Sequence, residues 1–131
     1  MSKRLYGVRG ATGAENTAGS VAKNVCQMCL EILKRNSIKT EDIVSVQFTQ
    51  TKDIDAMNPA AALRKGQDEI DFSSVPLFCS QEPEIKNSPE KMIRVLVTVY
   101  LEEGSKVSPV YINGGEKLRP DFASQESYVL R

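Results

Sequence analysis

Two residues of opposite charge, Glu82 and Arg94, are the first candidates for chemistry. Residues 75–82 and 93–100 both have the composition of strands, and the second is rich in β-branched valine and isoleucine. An acid and a base therefore stand at the ends of two predicted core strands, where a rigid scaffold can aim them into a pocket. Within so apolar a strand, the Arg94 guanidinium is desolvated unless it points into a cleft, and it needs a partner. That partner is either Glu82, in a structural ion pair, or a ligand carboxylate, and both alternatives stay open.

Three more arginines lie near predicted element boundaries. Arg9 stands at the exit of the first predicted strand, Arg64 lies on a short predicted helix, and Arg119 lies near the C-terminus. A lone arginine usually solubilises a surface, and for Arg64 and Arg119 that is the default interpretation.

The composition removes several classes of function. The 131 residues include no histidine, which excludes Ser-His-Asp and Cys-His nucleophilic machinery and imidazole acid–base catalysis. Seventeen basic residues balance seventeen acidic ones, so we expect no broad basic surface for nucleic acid or an anionic membrane. The N-terminus lacks a signal-peptide pattern and no run of apolar residues is long enough to span a membrane, which predicts a cytoplasmic protein.

Three short motifs have plainer explanations than the functions they suggest. Cys26 and Cys29 have neither a second ligand pair for zinc nor a position at a helix start that would activate a thiol, so they are predicted to be buried helix residues. The glycines of residues 7–13 match neither phosphate-binding pattern and indicate a turn. Asp53 and Asp55 lack the further oxygen ligands of a cation site, which favours a solvated loop.

Strands and helices alternate along the chain. Strands are predicted over residues 4–9, 44–49, 75–82, 93–100 and 109–112, the last as an edge strand because Pro109 cannot donate to a ladder. A helix is predicted from Thr17 as N-cap to about Asn36, and a shorter one from Asn58 as N-cap to Gly66. Residues 10–13 and Gly114-Gly115 are predicted to be turns, and Thr40 to cap a short turn. In the second strand, apolar and polar residues alternate, which predicts one buried face with Val44, Val46 and Phe48 and one polar face with Ser45, Gln47 and Thr49.

This order predicts an α/β or α+β fold, with a mixed sheet packed by helices on one face. Residues 1–121 are predicted to form a single domain. Residues 122–131 show no periodicity and are predicted to be a mobile polar tail, or one ordered only against a neighbour.

Five motifs in register, spread from about residue 5 to residue 121, resemble the monofunctional chorismate mutases of the bacillus type. They are Tyr6-Gly-Val-Arg-Gly-Ala-Thr12, Asp53-Ile-Asp-Ala-Met-Asn-Pro-Ala-Ala-Ala-Leu-Arg64, Val75-Pro-Leu-Phe-Cys-Ser-Gln-Glu82, Ile93-Arg94-Val95, and Val110-Tyr111 with Leu118-Arg-Pro-Asp121. The resemblance implies a homotrimer that forms a pseudo-α/β barrel, with active sites between neighbouring subunits. It also implies the rearrangement of chorismate to prephenate with no cofactor or metal, in the biosynthesis of aromatic amino acids.

The same resemblance implies roles for individual residues. Arg94 would stabilise the negative charge that grows on the ether oxygen, Glu82 would accept a hydrogen bond from the ring hydroxyl, and Arg9 would hold a carboxylate. Tyr111 would donate to that carboxylate. The remaining substrate-binding candidates would line the ring or supply a positive rim; they are Asn58, Arg64, Phe78, Cys79, Leu118 and Arg119.

The chain departs from the family pattern at two positions. Asn58 replaces an aromatic residue, and Ala61 replaces a frequent lysine, changes that would loosen packing over the substrate and weaken its attraction. Met57 is adaptable enough to replace part of the packing. These departures support the rival hypothesis of a non-catalytic trimer that binds a small carboxylate in the same cleft.

Overall fold

The computed structural model describes residues 2–123 of the chain. Five strands and two longer helices make up the fold, together with one-turn helices at Thr40–Asp42 and Gly115–Leu118. The elements are β1 (Lys3–Gly13), α1 (Ala18–Arg35), β2 (Ile43–Gln50), α2 (Pro59–Lys65), β3 (Leu77–Gln81), β4 (Met92–Glu102), β5 (Val110–Ile112) and the short α3 (Pro120–Ala123).

The strands form one mixed sheet in the order β3-β2-β4-β1-β5. β4 runs antiparallel to both of its neighbours, β1 and β2, whereas β5 runs parallel to β1 and β3 runs parallel to β2. This arrangement confirms the predicted mixed sheet. β4 lies at its centre, and β3 and β5 are its edges.

One face of the sheet is covered by α1 and α2. The apolar stripe of α1, which includes Val25 and Ile32, is buried with Val8 of β1, Phe48 of β2 and other residues of this face in a single core. At Gly10 the packing is so close that a Cβ atom would lie 2.9 Å from Cδ1 of Ile32 and 3.0 Å from the carbonyl oxygen of Val110, so a side chain there would force these neighbours to shift. The predicted packing of helices on one face of the sheet is confirmed.

Both helices begin as predicted. The Thr17 side chain accepts a hydrogen bond from the backbone N–H of Ser20 at the start of α1, and the Asn58 side chain accepts from Ala60 and Ala61 at the start of α2. Such caps satisfy backbone donors that the helix leaves without partners. The prediction that Gly66 terminates α2 is also confirmed, because it occupies the C-cap position.

The opposite face, called here the open face, is covered by neither α1 nor α2; among the described elements only the one-turn helix Gly115–Leu118 packs on it, over Ala11. Directly paired strand residues share a face, so Arg9, Leu96, Gln47 and Phe78 form one row across the open face. Leu5 and Tyr100 pair farther along β1 and β4, and each is more than 40% exposed. Large apolar side chains therefore lie uncovered beside charged ones.

Several local predictions were wrong. Residues 10–13 continue β1 instead of turning, because this segment pairs with β4 on one side and with β5 on the other. Arg9 consequently lies within a strand and not at its exit. The strand that precedes Glu82 is an edge strand, not a core strand, and it begins only at Leu77.

Two smaller predictions on β2 and the segment before it also failed. Val44 is exposed instead of buried, because a bulge between Ile43 and Ser45 breaks the alternation of β2. Thr40 does not cap its turn: Lys39 is at the N-cap position and no side chain caps it.

The predicted C-terminal tail, residues 122–131, is not tested by the structure. Residues 120–123 form the one-turn helix α3, an element that the sequence did not predict. Residues 124–131 lie outside the described part of the chain, so the mobile tail stays a prediction. No helix among the described residues is long and apolar enough to cross a membrane.

Candidate active site

Glu82 and Arg94 meet in a two-point ion pair on the open face. Arg94 donates from Nε to Oε1 of Glu82 at 3.0 Å and from its NH2 group to Oε2 at 2.5 Å. The two residues come from strands that are not neighbours: Glu82 directly follows β3, Arg94 is the third residue of β4, and β2 lies between them. Register therefore creates the pair, since Arg94 lies opposite Thr49 of β2 and Thr49 lies opposite Ser80 of β3.

The two members of the pair differ in exposure. The side chain of Arg94 is 51% exposed and that of Glu82 is 15% exposed. Burial acts to raise the pKa of Glu82, but hydrogen bonds from Arg94 and Thr49, together with the charge of Arg94, outweigh it and hold the pKa below its ordinary value. Glu82 is consequently a carboxylate at neutral pH. Arg94 avoids the desolvation expected of a strand interior because its side chain points into a cleft.

Two clefts share Arg94 and Leu118. The larger, about 690 Å³, is bounded by Glu82, by the segment that follows it and by the loop after β2. The smaller, about 320 Å³, lies on the open face, and its lining includes Arg9, Thr49, Tyr111 and Arg119. Both volumes are in the range of small-molecule sites. Six sequence-predicted site residues therefore gather around one groove; they are Arg9, Glu82, Arg94, Tyr111, Leu118 and Arg119.

Tyr111, Leu118 and Arg119 are positioned by the turn that follows β5. Gly114 adopts a φ of 93°, a conformation that favours glycine, and the one-turn helix that it begins folds back over Ala11 on the open face. Tyr111 is buried there in a small apolar cluster against which Leu118 packs. The predicted glycine turn is confirmed, and it brings Arg119 back beside Tyr111.

Arg119 makes a second two-point ion pair. Its Nε donates to Oδ1 of Asp121 at 3.1 Å, and its NH2 group donates to Oδ2 at 2.7 Å. Hydrogen bonding and charge from Asp121, with a smaller contribution from Tyr111, raise the pKa of Arg119. Arg9 differs from both other arginines of the groove, because within residues 2–123 the structure shows no hydrogen bond or ion pair to its side chain. Its guanidinium is thus available to a ligand.

The other four predicted site residues lie apart from this groove. Asn58 and Cys79 line a separate cleft of about 380 Å³ next to the edge strand β3. Phe78, also on β3, is 68% exposed and lines none of the three clefts, and Arg64 is exposed on α2. The side-chain oxygen of Asn58 is already engaged in capping α2. A single chain therefore does not assemble all ten predicted residues into one site.

Cys26 and Cys29 belong neither to the groove nor to the residues that lie apart from it. Cys26 and Cys29 are buried on α1, and burial raises the pKa of both thiols, as expected for inert core residues.

The structure adds three residues that the sequence alone did not single out. Thr49 donates a hydrogen bond to Glu82, Gln47 lines the open-face cleft, and Lys52 lines both the large cleft and the cleft beside β3. The alternation of β2 placed Thr49 and Gln47 on a polar face, which was the one available signal. No sequence pattern indicated Lys52, because its position depends on how the loop after β2 folds.

The groove combines one fixed carboxylate, three guanidinium groups and a phenol. Such a set can bind a small polyanion by forked hydrogen bonds and can stabilise charge that develops within it. Among the described residues, the groove contains no thiol, and the lysines of its larger cleft are Lys52, which is paired with Glu84 at 2.8 Å, and the exposed Lys86. Preorganised electrostatics is therefore the chemistry that this arrangement performs best.

Comparisons with known proteins agree with this geometry. Residues 5–122 match the family model described as chorismate mutase type I. The chain is 32% identical to chorismate mutase AroH of Bacillus subtilis over 96% of this chain and 98% of the relative, and 32% identical to chorismate mutase AroH of Thermus thermophilus over 93% and 99%. The fold resembles that of a chorismate mutase from Clostridium thermocellum, with a TM-score of 0.78 and 35% identity, over 86% of this chain and 98% of that one. The chain thus belongs to the type I chorismate mutase family.

Proposed function

We propose that this protein is a chorismate mutase, which rearranges chorismate to prephenate for the biosynthesis of aromatic amino acids. The observation that carries the proposal is the Glu82–Arg94 pair, held at the point where two clefts of the open face meet. Membership of the type I family supports it. A cytoplasmic location stays a prediction from the sequence.

The reaction needs charge stabilisation and a restrained conformation of the substrate. In an intramolecular [3,3] rearrangement, the ether C–O bond breaks while a new C–C bond forms, and negative charge grows on the ether oxygen. A guanidinium has five N–H donors, and Arg94 uses two of them on Glu82. The ion pair therefore orients Arg94 and leaves donors for the ether oxygen, so Arg94 is the principal catalytic residue in this proposal.

The other groove residues hold the ends of the substrate. Glu82 accepts a hydrogen bond from the ring hydroxyl and offsets positive character in the ring. Arg9, whose guanidinium is available, forms a fork with a substrate carboxylate, and Tyr111 donates to the same group. Leu118 contacts the apolar side of the ring, and Arg119 extends the positive rim that attracts a dianion.

The uncovered apolar side chains support assembly into a homotrimer through the open face. Leu5, Leu96 and Tyr100 are exposed on one side of the sheet, which is costly for a monomer and typical of an interface. The division of the predicted site residues into two groups supports the same proposal. In a trimer, Asn58, Arg64, Phe78 and Cys79 of one subunit complete the groove of its neighbour.

A purely structural role for the ion pair is the weaker explanation. Pairs with a half-exposed arginine contribute about 0–1 kcal/mol to stability, and the Arg94 side chain is 51% exposed. So small a contribution does not account for placing a charged pair at the junction of two clefts. A role toward a ligand does.

A progress assay that follows the loss of chorismate tests the function, with prephenate binding measured on the same preparation. The proposal expects turnover far above the uncatalysed rate. Tight prephenate binding without turnover would instead support the rival, a non-catalytic trimer that binds a small carboxylate. Two features favour the rival: the side chain of Asn58 caps α2 and supplies no aromatic surface, and Ala61 supplies no positive charge.

A further inference from the structure

Thr49 contacts the side chain of Glu82 from β2, the strand that lies between the two partners of the ion pair. It lies on β2 directly opposite Arg94, and its hydroxyl donates a hydrogen bond to Oε1 of Glu82. The backbone N–H of Glu82 donates to the carbonyl of Gln50 at 2.8 Å. β2 therefore holds both the backbone and the side chain of Glu82, although Glu82 follows the edge strand β3.

The two oxygens of the Glu82 carboxylate have different partners. Oε1 accepts from the Thr49 hydroxyl and from Nε of Arg94, whereas Oε2 accepts only from the NH2 group of Arg94 among the described residues. A carboxylate oxygen has two lone-pair positions. Both lone-pair positions of Oε1 are thus occupied, whereas Oε2 has one lone-pair position left for an incoming donor.

We propose that Thr49 is a positioning residue, whose hydroxyl fixes the rotation of the Glu82 carboxylate so that Oε2 alone presents a free lone pair to the substrate. This inference rests on the proposed function, in which that donor is the ring hydroxyl. Without the hydroxyl, Oε1 regains a free position, and the carboxylate can turn about its terminal bond, which has a broad torsional preference. The Arg94 guanidinium then moves with the Glu82 carboxylate, because two of the guanidinium donors are hydrogen-bonded to that carboxylate.

Removal of the Thr49 hydroxyl also changes the protonation of Glu82. A hydrogen bond to the ionised form favours that form, so its loss raises the pKa of the carboxyl group. The charged groups around Glu82 do not take over this role: Arg94 already contacts it, and the others line the same cleft without a hydrogen bond to it. These other groups are Lys52, Asp53, Glu84, Lys86 and Glu90.

The matched variants are Thr49→Val, which keeps the shape and strand preference but removes the hydroxyl, and Thr49→Ser, which keeps the hydroxyl. Thr98→Val is the control, because Thr98 is a half-buried strand threonine of the open face with no hydrogen bond from its side chain among the described residues. We expect Thr49→Val to lower kcat/KM about tenfold, the scale of one hydrogen bond to a charged group. Thr49→Ser should recover most of the loss, and Thr98→Val should match the wild type.

The pH profile separates positioning from a merely structural role. Activity needs the Glu82 carboxylate, so the acid limb of the kcat profile should move to higher pH in Thr49→Val and return in Thr49→Ser. A Thr49→Val enzyme with wild-type kcat/KM and an unmoved acid limb would overturn the inference. An equal loss in Thr49→Ser would do the same, because the hydroxyl would then not be the cause.

A carboxyl ¹³C NMR titration of Glu82 keeps this test distinct from that of the function. The pKa of Glu82 should rise in Thr49→Val whether or not the wild type turns over chorismate. An inactive wild type with the raised pKa would contradict the chorismate mutase proposal and leave the Thr49–Glu82 coupling intact. An active wild type with an unchanged pKa in Thr49→Val would contradict the coupling and leave the function intact.

Discussion

The two faces of the sheet are built from the same strands but have opposite characters. On the helix-covered face, Val95, Val97 and Phe48 are buried in one apolar core. On the open face, the residues beside them in sequence include Arg94, Thr49 and Leu96, which line clefts. In a strand, successive side chains point to opposite faces, so each strand contributes to stability through one set of residues and to the site through the other.

This difference explains how Arg94 can lie in the most apolar strand of the protein. Ile93 and Val95, its neighbours in sequence, are buried under the helices, and they fix the backbone that carries it. The guanidinium itself is directed to the opposite face. A rigid core thus positions a charged group without burying it, as preorganised catalysis requires.

The largest effect on folding is expected from Phe48→Ala, on the covered face of β2. Phe48 is almost fully buried, and removal of a buried phenyl ring costs about 3–5 kcal/mol, for the lost transfer free energy and the cavity that remains. Gln47→Ala, the adjacent change on the open face, should alter the free energy of unfolding by less than about 0.5 kcal/mol. Denaturant unfolding measures both. Equal losses in the free energy of unfolding would show that the covered face does not contribute more to stability than the open face.

A smaller effect on folding, with a clear effect on assembly, is expected from Leu5→Asp. Leu5 is exposed beside Tyr100 on the open face, so a carboxylate there leaves the subunit folded but places a charge in the proposed interface. Sedimentation should show a trimer for the wild type and a species of one-third that mass for the variant. Ala18→Asp, which adds the same charge at the exposed first residue of α1 on the opposite side of the sheet, is the control and should remain trimeric.

A wild-type monomer that turns over chorismate would contradict the proposed interface and, with it, a site completed by a neighbouring subunit.

Much of the fold follows from local patterns. The stripe and cap of α1, the Asn58 cap of α2 and the valine-rich β4 were all predicted because their signals lie within a few residues. The turn predicted at residues 10–13 was wrong because glycine permits a turn but does not require one. Pairing with two other strands, which are distant in sequence, decided its conformation.

Part of the candidate site could also be predicted from the sequence. The encounter of Glu82 and Arg94 was one of two alternatives raised by the sequence, and the structure shows that it forms. Thr49 could not be assigned to it, because its role depends on the register of β2 against both β3 and β4. All ten residues stay predictions as substrate contacts, and a single chain holds four of them away from the groove: Asn58, Arg64, Phe78 and Cys79.

The central claim is that Arg94 acts on the reaction and adds little to folding. Steady-state turnover of chorismate by Arg94→Ala and Arg94→Lys, with the free energy of unfolding of each variant, tests this claim most directly. We expect Arg94→Ala to lower kcat by about 100-fold or more while the free energy of unfolding changes by less than about 1 kcal/mol. Arg94→Lys should recover only part of the rate, because a point charge does not replace the fork. Wild-type kcat in Arg94→Ala would contradict the claim, as would a loss of activity matched by unfolding of the variant.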